Sequence, residues 1–260
     1  MICRSSQISE FKACAASAYY RYDLGLSPTG GKPDPHLFFG RVLHKAVDIL
    51  HKEDVYSALD FLERTEWTDS RTKTKARAKS LLKIYATNNK VVLVDTEREF
   101  SFRIGKHTWR GRWDGAGVYG RGFWIVEHKT TKAPYLIVKP NDQIIAYWAG
   151  GRKVYGEKLQ GVIVNQFDVE RLQVYTFPVT FTVDEYLAWR KEILLVLDYY
   201  ERCRETAFPM STSACYRYHK PCAYMPICMA EQSTKKVIMD RCYTVSQEAV
   251  SYTHLTLPTN

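Results

Sequence analysis

The sequence predicts a mixed α/β (α+β) domain, on three observations. Apolar residues recur at helical spacing up to about position 88. The period then falls to two through "VVLVDTEREFSFRI", "HTWRGRWDGAGV" and "GRGFWIVEHKT", as half-buried strands require. Beyond these lie one interposed helix, two more strand-like runs and a long amphipathic helix, with no internal repeat or low-complexity linker. Residues 1–249 therefore read as one domain, with a helical N-terminal part and a cysteine cluster near the C-terminus.

The elements follow in chain order. "SQISEFKACAASAYYRY" sets Ile8, Phe11, Ala15 and Tyr19 on one helical face, with Ser6 or Ser9 as cap. "LGLSPTGGKPDP" is a loop by its Gly and Pro content. It is not a phosphate-binding loop of Walker type: Leu26 stands where Gly is required, and Lys32 is followed by Pro33. From Leu37 to about Glu53 a second helix turns Phe39, Val42, Leu43, Ala46, Ile49 and Leu50 inward. Residues 55–88 form one or two further helices. After the strands, a helix is expected from Asp142 to Gly150, then strands over "GVIVNQF" and "RLQVYTFPV". A long helix follows over "TVDEYLAWRKEILLVLDYYERC", starting near Val183 or Asp184.

Composition narrows the function. With 37 Lys+Arg against 28 Asp+Glu the formal net charge is +9, which favours a polyanionic partner, though a merely basic enzyme has the same balance. No run approaches the ~20 apolar residues of a membrane span, and the first residues lack a signal-peptide core. A cytoplasmic protein with seven reduced cysteines is expected. The tail "VSYTHLTLPT" back-translates closely to a sequencing adaptor read in frame, so residues 250–260 are expected to be an artefact ending a shortened chain.

One hairpin concentrates charge. If Gly120-Arg121 is a two-residue type II′ loop, Tyr119 pairs with Gly122 and paired numbers sum to 241. Asp114 then lies opposite Glu127, and Lys129 shares their face by strand alternation. Directly opposed Cβ atoms stand ~4.5–5.5 Å apart, where like charges repel unless a cation lies between. A divalent metal meets that need; a solvated face neutralised by Arg112 and Lys129 is the alternative. Gly40 and His44 stand one helical turn apart, as do Gln143 and Tyr147. Gly40 removes a side chain one turn before His44, which admits another backbone or a substrate.

Taken in order, these residues resemble the PD-(D/E)xK nuclease superfamily, and within it the RecB/AddB-type and CRISPR-associated RecB-like exonucleases. G-x-x-x-H is Gly40 and His44, the first acid is Asp114, E-x-K is Glu127 and Lys129, and Q-x-x-x-Y is Gln143 and Tyr147. The resemblance covers roughly residues 5–230. It implies a restriction-endonuclease-like core: a mixed central sheet flanked by helices. It also implies Mg²⁺ or Mn²⁺ held by Asp114, Glu127 and His44, and hydrolysis of phosphodiesters in single- or double-stranded DNA. Lys129 would act on the attacking water or the phosphate, while Gly40, Gln143 and Tyr147 would position substrate or the lysine. Glu99 is expected as an outer carboxylate. Trp113 departs from the proline usual before the first Asp.

Cys14 and the set Cys215, Cys222 and Cys228 resemble the one-plus-three cysteines that bind a [4Fe–4S] cluster in several members. The spacing departs at Cys215: either it ligates from a longer loop or His219 replaces it. Zinc and unligated thiols remain alternatives. Cys3, Cys203 and Cys242 have no evident role. No ATPase motif is visible, so a helicase or recombination partner would be a separate chain. Phage recombination, DNA repair and CRISPR adaptation are the settings the resemblance implies. A non-catalytic nucleic-acid-binding module of the same fold, and a structural Cys-metal protein, are the rival functions.

Overall fold

The structure, a computed structural model, describes residues 1–30, 34–67, 70–132, 134, 141–217 and 220–245. His219 and the expected adaptor tail lie outside the described residues. Contacts divide the chain into two compact units, residues 1–2 with 33–189, and residues 3–32 with 190–260.

In chain order the elements are β1 (Ile2–Cys3), α1 (Ser5–Ala13), α2 (Ala15–Ala18), β2 (Leu26–Pro28), α3 (Pro35–Lys52), α4 (Val55–Arg64) and α5 (Lys75–Asn88). Then come β3 (Val92–Ile104), β4 (His107–Tyr119), β5 (Gly122–Thr131), α6 (Asp142–Tyr155), β6 (Leu159–Asp168) and β7 (Gln173–Val179). The chain continues through α7 (Val183–Glu205), β8 (Tyr216–Arg217), β9 (Lys220–Pro221), α8 (Met225–Cys228), α9 (Gln232–Cys242) and β10 (Tyr243–Val245).

In the first unit the long strands pair in the order β3-β4-β5-β6-β7. Only β5 and β6 are parallel; β3–β4, β4–β5 and β6–β7 are antiparallel. A parallel pair needs a crossover, and α6 supplies it. This is the mixed sheet flanked by helices that the sequence predicts. Side-chain caps start five of the helices, α7 among them through Thr182 Oγ1, which accepts Glu185 N–H at 3.1 Å. Asp34 accepts from His36 N–H at 2.7 Å with Pro35 in the first turn, Asp54 from Ser57 at 2.7 Å, and Thr74 from Arg77 at 3.3 Å. Asn141 caps α6 through Gln143 and Ile144 N–H at 3.1 and 3.2 Å. Phe39, Leu43, Ala46 and Val47 of α3 then pack with Leu62, Leu81, Leu82 and Phe167 into one buried core.

Helix α6 outruns the expected end at Gly150. Gly150 and Gly151 are contact points rather than a stop: a Cβ there would collide with Phe100 and with Leu159 and Ile125. The turn that ends the helix is at Gly156, whose φ of +66° costs a glycine least.

The second unit contains a buried aromatic group. Phe11 packs on Tyr200 at 4.4 Å between centroids, and Tyr200 on Phe208 at 5.5 Å. Neither Ser6 nor Ser9 caps the first helix; α1 follows Arg4, which makes no side-chain cap bond. The single expected helix breaks at Cys14, where φ −160° and ψ 112° are extended. The loop after it hides a strand, since Leu26–Pro28 pairs antiparallel with Tyr243–Val245. Pairing over such a sequence distance leaves no local signal. Among the described residues no helix is long and apolar enough to cross a membrane.

Candidate active site

The β4–β5 hairpin has the expected register. Tyr119 pairs with Gly122, and the pairing continues through Val118–Phe123 and Gly117–Trp124 to Gly115–Val126. Gly120 has φ +60° while Arg121 stays out of the left-handed region, as a type II′ turn requires. Asp114 lies one step beyond the last pair, opposite Glu127. On the other side, the β3–β4 register passes from Thr96–Gly115 to Arg98–Trp113, so Glu97 also falls opposite Asp114. The paired ladder skips both positions. Three carboxylates thus stand in one row across three strands.

The centre of the row and its β5 end find different partners. Asp114 Oδ2 accepts the backbone N–H of His128 at 2.6 Å, and Oδ1 lies 3.4 Å from His44 Nδ1. Gly40 of α3, one turn before His44, faces β5: a Cβ there would sit 3.4 Å from Thr130 Oγ1, in ordinary contact. Glu127, only 3% exposed, accepts from Gln143 Nε2 at 3.0 Å and pairs with the Lys129 ammonium. Lys129 Nζ also donates to Gln143 Oε1 at 2.7 Å. Gln143 Nε2 bonds Tyr147 Oη at 2.8 Å, and that hydroxyl donates to the Arg112 carbonyl at 2.8 Å. The Asn141 cap fixes Gln143 in the first turn of α6, and one turn later Tyr147 ties the helix to β4. Trp113 points into the core, fully buried and stacked on Phe100 at 4.7 Å. That packing seats the strand bearing Asp114, while the indole Nε1 is buried with no partner among the described residues.

The electrostatics separate the two acids. Burial works to raise Asp114, but the hydrogen bond and charge of His44, with the His128 N–H, hold it below the carboxylate range. Burial, then the negative charge of Asp114, push Glu127 up, against the pull of Lys129. Burial opposes the charged form of His44, yet the Asp114 bond and charge leave it raised. One imidazole and two carboxylates that repel each other, one half-buried and one buried, are a donor set suited to a hard divalent cation, and they fit Mg²⁺ or Mn²⁺.

The structure adds residues that sequence reasoning missed. The β3 carboxylate near the site is Glu97, not Glu99. Glu99 is exposed, whereas Glu97 feels the charges of Asp114 and His44. The β3–β4 register sets Glu97 opposite Asp114 and Glu99 opposite Arg112, two residues away along β4. His128, the middle residue of E-x-K, is buried among the rings of His44, Tyr85 and Phe167, at 5.9, 5.4 and 5.7 Å. Its single apolar-strand neighbourhood in the sequence carried a faint signal of that burial.

Burial depresses His128 to about 3, and its Nε2 is buried without a partner among the described residues. The unfolded chain takes up this proton below about pH 6.5 and the folded chain does not. Stability from this group is therefore complete above about 6.5 and falls by up to about 1.4 kcal/mol per pH unit below it. Read as the parent minus His128→Phe in urea, that loss should come to about 2 kcal/mol between pH 7 and pH 5, because the raised Glu127 and His44, which act in the opposite sense, are common to both chains. In His128→Phe the pH dependence that remains belongs to Glu127 and His44, which are raised, and to His51, which burial lowers. An unchanged slope would refute a neutral buried His128.

The second unit gathers the predicted cysteines. None of the seven is in a disulfide. Ser211 N–H donates to Cys14 Sγ at 3.4 Å, Cys215 Sγ to the Ser211 carbonyl at 3.5 Å, and Cys222 N–H to the Cys215 carbonyl at 2.7 Å. Burial, followed by the charges of Cys14, Cys222 and Cys215, raises the Cys228 thiol. Residues about two hundred apart thus meet at one place. A cavity of about 220 Å³ opens there, lined by Glu10, Cys14, Ser17, Ala214, Lys220, Pro221 and Cys222.

Residues 5–229 match the family described as the PD-(D/E)XK nuclease superfamily. The chain belongs to that superfamily. Membership supports hydrolytic nuclease chemistry and a nucleic-acid substrate. No curated protein matches the chain. Among solved structures, a protein from Eubacterium rectale, provisionally described as an exonuclease, superposes with a TM-score of 0.51 at 10% identity, covering 88% of this chain and 93% of its own. At that identity the likeness shows the superfamily's fold alone. SSO0001 matches with a TM-score of 0.33 at 13% identity, covering 86% and 93%, and adds no argument.

Proposed function

We propose that this superfamily member is a Mg²⁺- or Mn²⁺-dependent deoxyribonuclease of the RecB/AddB-like and CRISPR-associated branch, cutting DNA phosphodiesters. The observation that carries the reading is the bonded network in which Gln143 joins Glu127, Lys129 and Tyr147 beside the His44–Asp114 pair. His44, Asp114 and Glu127 would hold the ion. When bound, it polarises the phosphate and makes a water more acidic. The Lys129 ammonium, which donates to Glu127 and Gln143, meets negative charge developing on the phosphate. Gln143 fixes the position of that ammonium, and Tyr147 fixes Gln143. Gly40 leaves room for the end of β5 beside the site.

The convergence of Cys14, Cys215, Cys222 and Cys228 supports a structural [4Fe–4S] centre. Cys14 and Cys222 line one cavity, and the charges of Cys14, Cys222 and Cys215 act on Cys228, which suits the corners of a cluster. The +9 charge suits a sequence-tolerant hold on single- or double-stranded DNA. A cytoplasmic setting, with a helicase or recombination protein as a separate chain, completes the reading. Its test is direct. The purified protein should degrade DNA with Mg²⁺ or Mn²⁺ and stop on addition of EDTA. Undiminished cutting in EDTA, or none with either metal, would overturn it.

A further inference from the structure

The geometry points to Arg112 as a contact for a backbone phosphate of the bound strand, with Glu97 as the residue that positions it. The inference deepens the proposed nuclease reading and rests on it. Glu97 has φ +52°, one of two non-glycine residues among those described with positive φ. L side chains adopt that conformation rarely and at a cost. Its carboxylate Oε2 lies 3.0 Å from Arg112 Nε, and the Arg112 side chain is 60% exposed. An exposed ion pair stabilises too little to offset such a backbone. The strain therefore serves the placing of the guanidinium rather than the stability of the fold.

Placement supports this. Arg112 stands two residues before Asp114 on β4, so the two side chains share a face while Trp113 between them turns into the core. The Arg112 carbonyl is fixed by the Tyr147 hydroxyl, which locks the backbone that carries the guanidinium. With Nε held by Glu97, the terminal nitrogens keep N–H donors for solvent or an anion. A planar fork of donors beside the acidic row suits a phosphate oxygen, and it brings positive charge to a strand that the row of carboxylates would repel.

The test is nucleic-acid binding in EDTA, with cutting switched off, using a labelled DNA oligonucleotide at several salt concentrations. Arg112→Ala should weaken binding by roughly tenfold and lower the slope of log K against log salt by about 0.7–0.9, the loss of one phosphate contact. Arg112→Lys should keep the slope and lose only part of the affinity. Glu97→Gln should also keep the slope, with affinity down by about threefold because the fork is no longer aimed. In the metal-loaded enzyme Arg112→Ala should raise KM much more than it lowers kcat. Parent-like affinity and slope in Arg112→Ala, in a parent that binds and cuts, would refute the inference and leave the nuclease reading intact. A parent that neither binds nor cuts DNA would overturn both, and that outcome is seen before any variant is made.

Discussion

Asp114→Ala is expected to lower DNA cleavage by at least about 10³-fold while binding in EDTA stays within a few-fold of the parent. The magnitude follows from what the carboxylate does. Its Oδ1 faces His44 and its Oδ2 ties down the His128 N–H, so its loss removes a cation ligand and leaves the half-buried His44 imidazole without its acid. Lys129→Ala should cost a comparable factor for a different reason. The ammonium is the positive group on Glu127, and without it the charge developing on phosphate has no donor at that place. The two variants should differ in metal dependence. Asp114→Ala should need much more Mg²⁺ for its residual activity. Lys129→Ala should keep a midpoint near the parent's, since its defect lies in the chemical step. Parent-like cleavage in either variant would sink the assignment. DNA binding by a parent that cuts nothing would instead make the chain a binding module of the same fold.

Cys222→Ala should produce the largest loss of stability, with cleavage affected only after the protein begins to unfold. The proposed cluster joins Cys14 to the three cysteines between 215 and 228. Closing a loop of about two hundred residues restricts the unfolded chain by an amount worth roughly 5 kcal/mol for a covalent bridge. Protein prepared without oxygen should be brown, with broad absorption near ~400 nm and about four irons per chain. The variant should be colourless and melt many degrees lower. Cys242→Ala serves as the control, because Cys242 is exposed and outside the cysteine cavity; it should keep both colour and stability. Bound zinc without iron would replace the cluster with a single ion. Colourless protein lacking both metals, with Cys222→Ala as stable as the parent, would leave ordinary thiols.

Much of this protein was legible in its sequence because the rules involved are local. Alternation marked β3, β4 and β5. The Gly120 turn set the register that places Glu127 opposite Asp114, since a two-residue type II′ loop allows one pairing. Helical spacing placed His44 one turn from Gly40 and Tyr147 one turn from Gln143. Tertiary structure decided the rest. Glu97 rather than Glu99 faces the acidic row because the β3–β4 register sets Glu97 opposite Asp114 and Glu99 opposite Arg112, and no residue in "VDTEREF" marks that pairing. Gly150 and Gly151 read as a helix end, yet they are where α6 closes on Phe100 and Ile125, a demand made by a distant strand. β2 and β10 exist only as each other's partner. Period and turn chemistry act over a few residues and are written in them. The aim of a side chain across a sheet, and the meeting of Cys14 with residues two hundred positions away, depend on packing between segments that share no local pattern.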